Sequence, residues 1–356
     1  MRIKDMFMPF ENQMYEKWQM GKLLSAGIEE AGIAMLWISD YRGAGGDFEM
    51  KKFEEVRENF YKLSADDFDI PIYDFGRLIS GKTPEDTSYV LQEILLFCYA
   101  RNVIPIVIGG SNSLSYDLFA SLNETQKNID HTHISNCISF SSEGKEINDE
   151  NYLNRIFSNK SFSVGRFTLL GYQRHLNDNS YIDLMRAMQF DGVRLAEMMG
   201  KINQVEPFLR EADLVTVSCD VVESFAAPFS INPQVNGLNR REICACMKEV
   251  GMSEKLKSVG IFNYNFDTKN LLNHQLLAQM IWYLIEGINI QKKNPKQHKF
   301  ETYSLMIEGE VFVFRRDVFR NLWYFGGAEG TDEWLPCTFE DYNDAKRGVL
   351  NRRFLR

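Results

Sequence analysis

The chain has few of the residues that build metal-sulfur sites and disulfide frameworks, with six cysteines and five histidines in 356 residues. Cys98, Cys137, Cys219 and Cys337 stand alone, and Cys244 and Cys246 form a C-x-C, mostly inside apolar runs. No C-x2-C pair of a zinc site is present, and the density is far below that of a secreted scaffold, so reduced core cysteines in a cytoplasmic protein are expected. Positive charge is also scarce: 40 Lys and Arg against 49 Asp and Glu leave a net charge of -9. That balance repels phosphate backbones and anionic lipid, so neither nucleic acid nor a membrane surface is expected as a partner. Apolar runs fall short of the roughly 18 residues a membrane helix needs. The longest, 276–290, is broken by Gln279, Glu286 and Gly287. Asp5, Glu11 and Glu16 leave the first 19 residues without the apolar centre of a signal peptide.

What remains is 44% apolar content and only 9 prolines, a composition that supports a compact globule. Short β-rich runs alternate with longer amphipathic stretches, the pattern of parallel strands joined by crossover helices. Strands are expected at 33–38, 70–75, 103–108, 136–140, 161–171, 214–219 and 256–264. Helices are expected at 53–63, 84–99, 240–250 and 271–288. The fold class is therefore α/β, a three-layer α/β/α arrangement with a mainly parallel sheet over residues 1–300. Residues 301–356 read as a C-terminal extension on the same domain: a hairpin, 303–307 with 311–314, added to an edge of the main sheet, then a basic tail with Arg347, Arg352, Arg353 and Arg356. The tail is expected to dock on its own chain, whereas Phe312, Phe314, Trp323, Tyr324 and Phe325 could equally serve a homo-oligomer interface or pack internally.

In an open parallel sheet, ligands bind beyond the carboxyl ends of the strands. The segments that follow the apolar runs are Gly109-Gly-Ser-Asn-Ser113, Ser141-Ser-Glu-Gly-Lys145 and Ser218-Cys-Asp220 onward to Pro228. The Gly43–Gly46 loop with Asp47 and Glu49 lacks the G-K-[ST] of a phosphate loop. His175 and His274 are isolated and read as surface or core filler.

Taken in order, these segments resemble the arginase, agmatinase and formimidoylglutamase family, the ureohydrolases. Ile104 through Ser113 is similar to its I-P-x-x-x-G-G-D-H-S, and Ser218-Cys-Asp220 through Ala227-Pro228 to its S-x-D-x-D…P. Gly237-Leu238 with Glu242 resembles its G-L…E, and Asn265 with Asp267 its N-P…D. Gly165 to Gln173, Gln279 to Tyr283, and the Pro336-Cys337 and Asp341-Tyr342 pairs resemble a formimidoylglutamase-related clade of Bacteroidetes. The resemblance implies two divalent ions, usually manganese, which activate a bridging hydroxide against a guanidino or formimino carbon. In the family those ions are held by a His from G-G-D-H, an Asp, His and Asp from D-A-H-x-D, and two Asp from D-x-D.

Against that pattern this chain places Asn112 at the G-G-D-H histidine and Ser141, Glu143 and Lys145 at D-A-H-x-D. Asp220 keeps the first carboxylate of D-x-D and Val222 replaces the second, and Asn263 stands where the family has a substrate-orienting Glu. The expectation is a ureohydrolase fold without its dimanganese centre and with no cofactor, retaining a small-molecule ligand or acting as a regulatory or assembly subunit. Asn112, Ser141, Glu143, Lys145, Asp220 and Val222 then line the old pocket, with Arg42, Ser111 and Asn263 at its rim. The Lys145 ammonium, set between Asp220 and Glu143, would supply the charge of the missing ions, or else point to solvent. The rival is a C–N hydrolase with a rearranged or single manganese, for which His131 and His133 are the candidate ligands, although a solvated connector ahead of the 136–140 strand is the blander reading. A third reading uses the Cys219 thiol beside Asp220, for which the sequence offers no histidine base.

Overall fold

The computed structural model describes all residues except 1–2, 12, 48, 50, 295, 329–332 and 356, so Arg356 lies outside the described residues. Nine strands form the main sheet: β1 (Phe7–Met8), β2 (Ile33–Trp37), β3 (Ile72–Leu78), β4 (Ile104–Ile108), β5 (Ile129–Ile134), β6 (Val164–Tyr172), β7 (Asp191–Arg194), β8 (Leu214–Ser218) and β9 (Ser258–Phe262). Their spatial order is β1-β3-β2-β4-β9-β8-β5-β6-β7, with β1 antiparallel and the others parallel.

Among the described residues ten α-helices accompany them: α1 (Glu54–Tyr61), α2 (Pro84–Tyr99), α3 (Ser115–Thr125), α4 (Tyr152–Ser158), α5 (Asn179–Ala187), α6 (Leu195–Met198), α7 (Glu206–Leu209), α8 (Arg240–Gly251), α9 (Leu271–Lys293) and α10 (Phe339–Lys346). Local chemistry sets their starts. Thr83 and Asp86 form a capping box ahead of Pro84, and Asn239 with Glu242 does the same for α8.

The three layers follow from the period of a strand. On β2, Ile33, Met35 and Trp37 enter a core with Val56, Phe60, Met247 and Leu284 of α1, α8 and α9. Ala34, Leu36 and Ile38 enter the opposite core with Leu91, Leu95, Leu118 and Leu153 of α2, α3 and α4. All of β2, β8 and β9 is buried, and each fully buried Leu, Ile or Phe stabilises by about 1.5–3 kcal/mol. No helix among the described residues is long and apolar enough to cross a membrane.

Two expectations need correction. Segment 136–140 is irregular, and the strand lies earlier, at β5. His131 and His133 are therefore fully buried residues of a strand and do not belong to a solvated connector; their rings share one face because they are two residues apart. The C-terminal segment is also more than a hairpin on the main sheet. It forms a separate antiparallel sheet of β10 (Phe300–Ile307), β11 (Glu310–Asp317), β12 (Leu322–Ala328) and β13 (Leu335–Cys337). Its inner face builds a third core, in which Phe314, Trp323 and Phe325 are buried with Phe354 of the tail. Those aromatic residues, with Tyr324, are thus covered by their own chain.

Arg210, just past α7, joins this sheet to the main body. Its guanidinium donates to the Trp323 carbonyl at 2.7 Å and the Cys337 carbonyl at 3.2 Å, and pairs with both oxygens of Glu206 at 2.7 and 2.6 Å.

Candidate functional site

The site lies where β4, β9, β8 and β5 end. After β4, Gly109 and Gly110 take φ of +89° and +78°, and a Cβ on Gly109 would run into the Ile38 carbonyl. Glycine alone allows this turn without strain. The turn delivers Ser111, Asn112 and Ser113 to the carboxyl end of β9, where the Asn263 N–H donates to the Gly110 carbonyl at 2.8 Å. Asn263 is fully buried with φ of +59°, a left-handed conformation that asparagine tolerates better than most residues.

Its side chain organises the site. The Asn263 amide Nδ2 donates to Asp149 Oδ2 at 2.9 Å and to Asp220 Oδ2 at 2.8 Å. Asn263 Oδ1 accepts the Asn112 backbone N–H at 3.2 Å, which fixes the amide orientation, because a flipped amide would aim its oxygen at two carboxylates. Asn112 Nδ2 donates to Ser218 Oγ at 3.1 Å, and Ser113 N–H donates to Asp149 Oδ1 at 2.8 Å. Burial pushes the Asp149 carboxyl up to about 6 against the pull of its donors from Asn263 and Ser113. Burial raises Asp220 likewise, opposed by its bonds from Asn263 and neighbouring donors. Asp220 Oδ1 and Asn112 Oδ1 are buried without a hydrogen-bond partner among the described residues.

The expected residues divide into two groups. Asn112, Ser111, Asp220 and Asn263 come together at the strand ends, where Arg42 and Ser111 line a cavity of about 950 Å³ while Asn112, Asp220 and Asn263 are buried and, contrary to expectation, are not part of its lining. Val222 does not line it: its backbone bridges to Leu238 and its side chain joins the hydrophobic core. Glu143 and Lys145 are exposed on the loop after β5, and Ser141 accepts the Glu143 N–H within that loop. Because β5 ends at Ile134, the residues that leave its carboxyl end are 135–139, and Asn136 donates from there to the Asp220 carbonyl at 3.0 Å. Lys145 therefore does not stand between Asp220 and Glu143. Asp149, farther along the same polar loop, is the site residue the sequence reading missed, and no motif spacing marks it.

The remaining candidates lie in the core or at the surface. His133 Nδ1 contacts the Thr216 carbonyl at 3.1 Å, which makes it the protonated nitrogen, and Nε2 accepts from Tyr152 OH at 2.7 Å. Both ring nitrogens of His133 are thus engaged. His131 Nε2 contacts Thr216 Oγ1 at 2.8 Å. Burial keeps both imidazoles neutral, His133 lowered to about 4 and His131 well below its usual value. Burial also holds the Cys219 thiol protonated, and the Asp220 charge adds to that effect, so no thiolate is available. His274 is buried against Tyr264 OH at 2.8 Å, and His175 is exposed. Among the described residues no three His, Cys, Asp or Glu side chains are grouped to hold a metal ion.

The cavity itself is acidic. Asp40, Glu85, Asp117, Glu146, Asp149 and Glu150 line it, and Arg42, its single cation among the lining residues, is held by Asp40 with Nε 3.0 Å from Oδ1. Asp117 accepts from Ser88 and from Gln92 at 2.8 Å, and burial pushes it up to about 6.

No protein-family model matches the sequence, and no curated protein matches it. Solved structures do. A formiminoglutamase from Trypanosoma cruzi with manganese aligns with a TM-score of 0.68 at 17% identity, over 74% of this chain and 96% of that one. The formimidoylglutamase of Bacillus subtilis aligns with a TM-score of 0.68 at 14% identity, over 80% and 97%. An agmatine ureohydrolase of Thermoplasma volcanium aligns with a TM-score of 0.62 at 14% identity, over 79% and 98%. At this level of identity the likeness speaks for the backbone alone: this chain has the arginase-like α/β/α fold.

Proposed function

We propose that this chain is an arginase-fold protein without the dinuclear metal chemistry of its fold, retaining a small cationic ligand in the cleft at the strand carboxyl ends. The observation that carries the reading is the Asn263 amide. Its NH2 group donates to Asp149 and Asp220 together, so a neutral donor pair occupies the ground between carboxylates where divalent cations would need bare oxygens. A manganese pair wants several carboxylate and imidazole ligands at once, and the side chains converging here are mainly amides and hydroxyls. The residues present do not fit that pair.

The acidic lining supports the ligand class. A guanidinium, amidinium or primary amine offers several N–H donors to this wall, and the charge of Arg42 is already neutralised by Asp40. Free cysteines among the described residues suit a cytoplasmic setting.

A second reading, a divergent amidine hydrolase with one rearranged metal, draws on Asp220 Oδ1 and Asn112 Oδ1, two buried acceptors lacking a donor. Elemental analysis of the purified chain, with calorimetric titration of agmatine and arginine and assays of urea and glutamate release from arginine, agmatine and formimidoylglutamate, separates the two. The proposal expects amine binding with no stoichiometric manganese and no turnover. Stoichiometric manganese with hydrolysis overturns it in favour of the second reading.

A further inference from the structure

A second large cavity, about 890 Å³, lies away from the acidic cleft, between the edge strand β7 and the C-terminal helix α10. Its wall mixes apolar side chains such as Tyr172, Phe190 and Phe208 with both signs of charge. The two signs are treated differently by the fold. Glu197 accepts the Arg194 backbone N–H at 2.7 Å, and Asp341 caps α10 through the Thr338 N–H at 2.8 Å while also accepting from Asn351 at 2.8 Å. Glu340 accepts from Gln204, and Asp344 is paired with Arg347 at 3.4 Å. These four carboxylates are therefore occupied, and the fifth in the wall, Asp191, forms a long ion pair with Arg353 at 3.9 Å.

Of the cations, Arg186 is paired with Asp183 at 3.0 Å, and three others are left open. Arg194, Lys201 and Arg352 make no side-chain hydrogen bond or ion pair among the described residues, and all are exposed at the cavity. On the floor, the Arg353 guanidinium stacks 3.8 Å from the Phe208 ring centroid with its side chain only 14% exposed. Its nearest carboxylate oxygen, on Asp191, is 3.9 Å away, beyond hydrogen-bond reach. A guanidinium carries five N–H donors in a planar fork, and with Asp191 only at long range those of Arg353 remain open to water or to a ligand that supplies acceptors. Burial lowers the Arg353 pKa in keeping with that exposure to a poor solvent.

We infer that this cavity is a binding site for the oxyanion group, carboxylate or phosphate, of a small organic molecule, held by Arg353 at the floor and by Arg194, Lys201 and Arg352 at the mouth. Planar bidentate recognition of such a group is what an arginine fork does well, and the aromatic wall suits an organic body behind it. The site is independent of the acidic cleft, which by its charge selects the opposite kind of ligand.

The test uses the full chain, titrated calorimetrically with inorganic phosphate and, separately, with succinate. The expected result is saturable binding of at least one of them with a Kd below about 1 mM. Phosphate binding alone points to a phosphorylated ligand and succinate binding alone to a carboxylate, and either supports the site. Lys201→Gln with Arg352→Gln should weaken binding about tenfold with an unchanged melting temperature in the absence of anion, since both are exposed. Arg353→Met should abolish binding, and the mouth variant keeps the question open to refutation if that substitution unfolds the tail. No saturation by either anion up to about 10 mM, or equal binding by wild type and the mouth variant, overturns the inference.

Discussion

Asn263 Nδ2 lies 2.8 Å from Asp220 Oδ2, so a left-handed asparagine at the end of β9 is hydrogen-bonded to the acidic residue at the end of the neighbouring β8. The same nitrogen serves Asp149, and the three side chains form one unit that stands or falls together.

Replacing Asn263 with Asp tests that unit. The substitution removes the shared donor and adds a carboxylate facing Asp149 and Asp220, a like-charge cluster that should cost roughly 2–4 kcal/mol in chelator-treated protein. Added manganese should restore much of the loss, because a third carboxylate provides a ligand that the amide cannot. Thermal melts of the variant with and without the ion would check this; an unchanged melting temperature in chelator would refute the role assigned to the amide.

Acid stability carries the signature of the buried imidazoles. His131 and His133 have folded pKa values depressed below the ordinary 6.5, His133 to about 4. Below pH 6.5 the unfolded chain takes up protons that the folded chain refuses, so their contribution is fully present above about pH 6.5 and declines as pH falls toward 4. His133→Gln should flatten the acid limb of a denaturant-midpoint profile between pH 6.5 and 4 while lowering stability at pH 7.5 by about 1–2 kcal/mol, through the lost contacts to Thr216 and Tyr152.

Asp117 acts in the opposite direction. Its folded pKa is raised to about 6, so the folded chain holds a proton more tightly than the unfolded one, and the resulting stabilisation is present below about pH 4 and is lost as pH rises through 6. Asp117→Asn retains an acceptor for Ser88 and Gln92 without a buried charge. It should raise stability at pH 8 by about 1–2 kcal/mol and change little at pH 4.5. Equal effects at both pH values would count against the assignment.

Much of the frame was readable because β2, β4, β8 and β9 are apolar runs bounded by polar turns, and the turn at Gly109-Gly110 and the residues Asp220 and Asn263 follow directly from where such runs stop. β5 escaped because its core positions include His131, Thr132 and His133, which pattern as polar yet are buried through bonds to Thr216, Phe208 and Tyr152. That misplaced end shifted attention to Glu143 and Lys145 and away from 135–139. Asp149 reaches the site through loop closure, Asp149 N–H donating to the Gly43 carbonyl, and a local pattern holds no record of such a long-range bond. The C-terminal sheet was half visible for a related reason: β10 turns exposed residues outward, so its alternation resembles an isolated hairpin until β12 and β13 are paired with it.

The Arg210 clamp ties the last sixth of the polypeptide, residues 300–356, to the rest. Its guanidinium is nearly enclosed, and two of its acceptors are backbone carbonyls supplied by Trp323 and Cys337. Cropping the chain near residue 299 would strip those acceptors from a cation that cannot shed its proton. The appendage is thus a keystone, and any minimal version of the protein has to carry it.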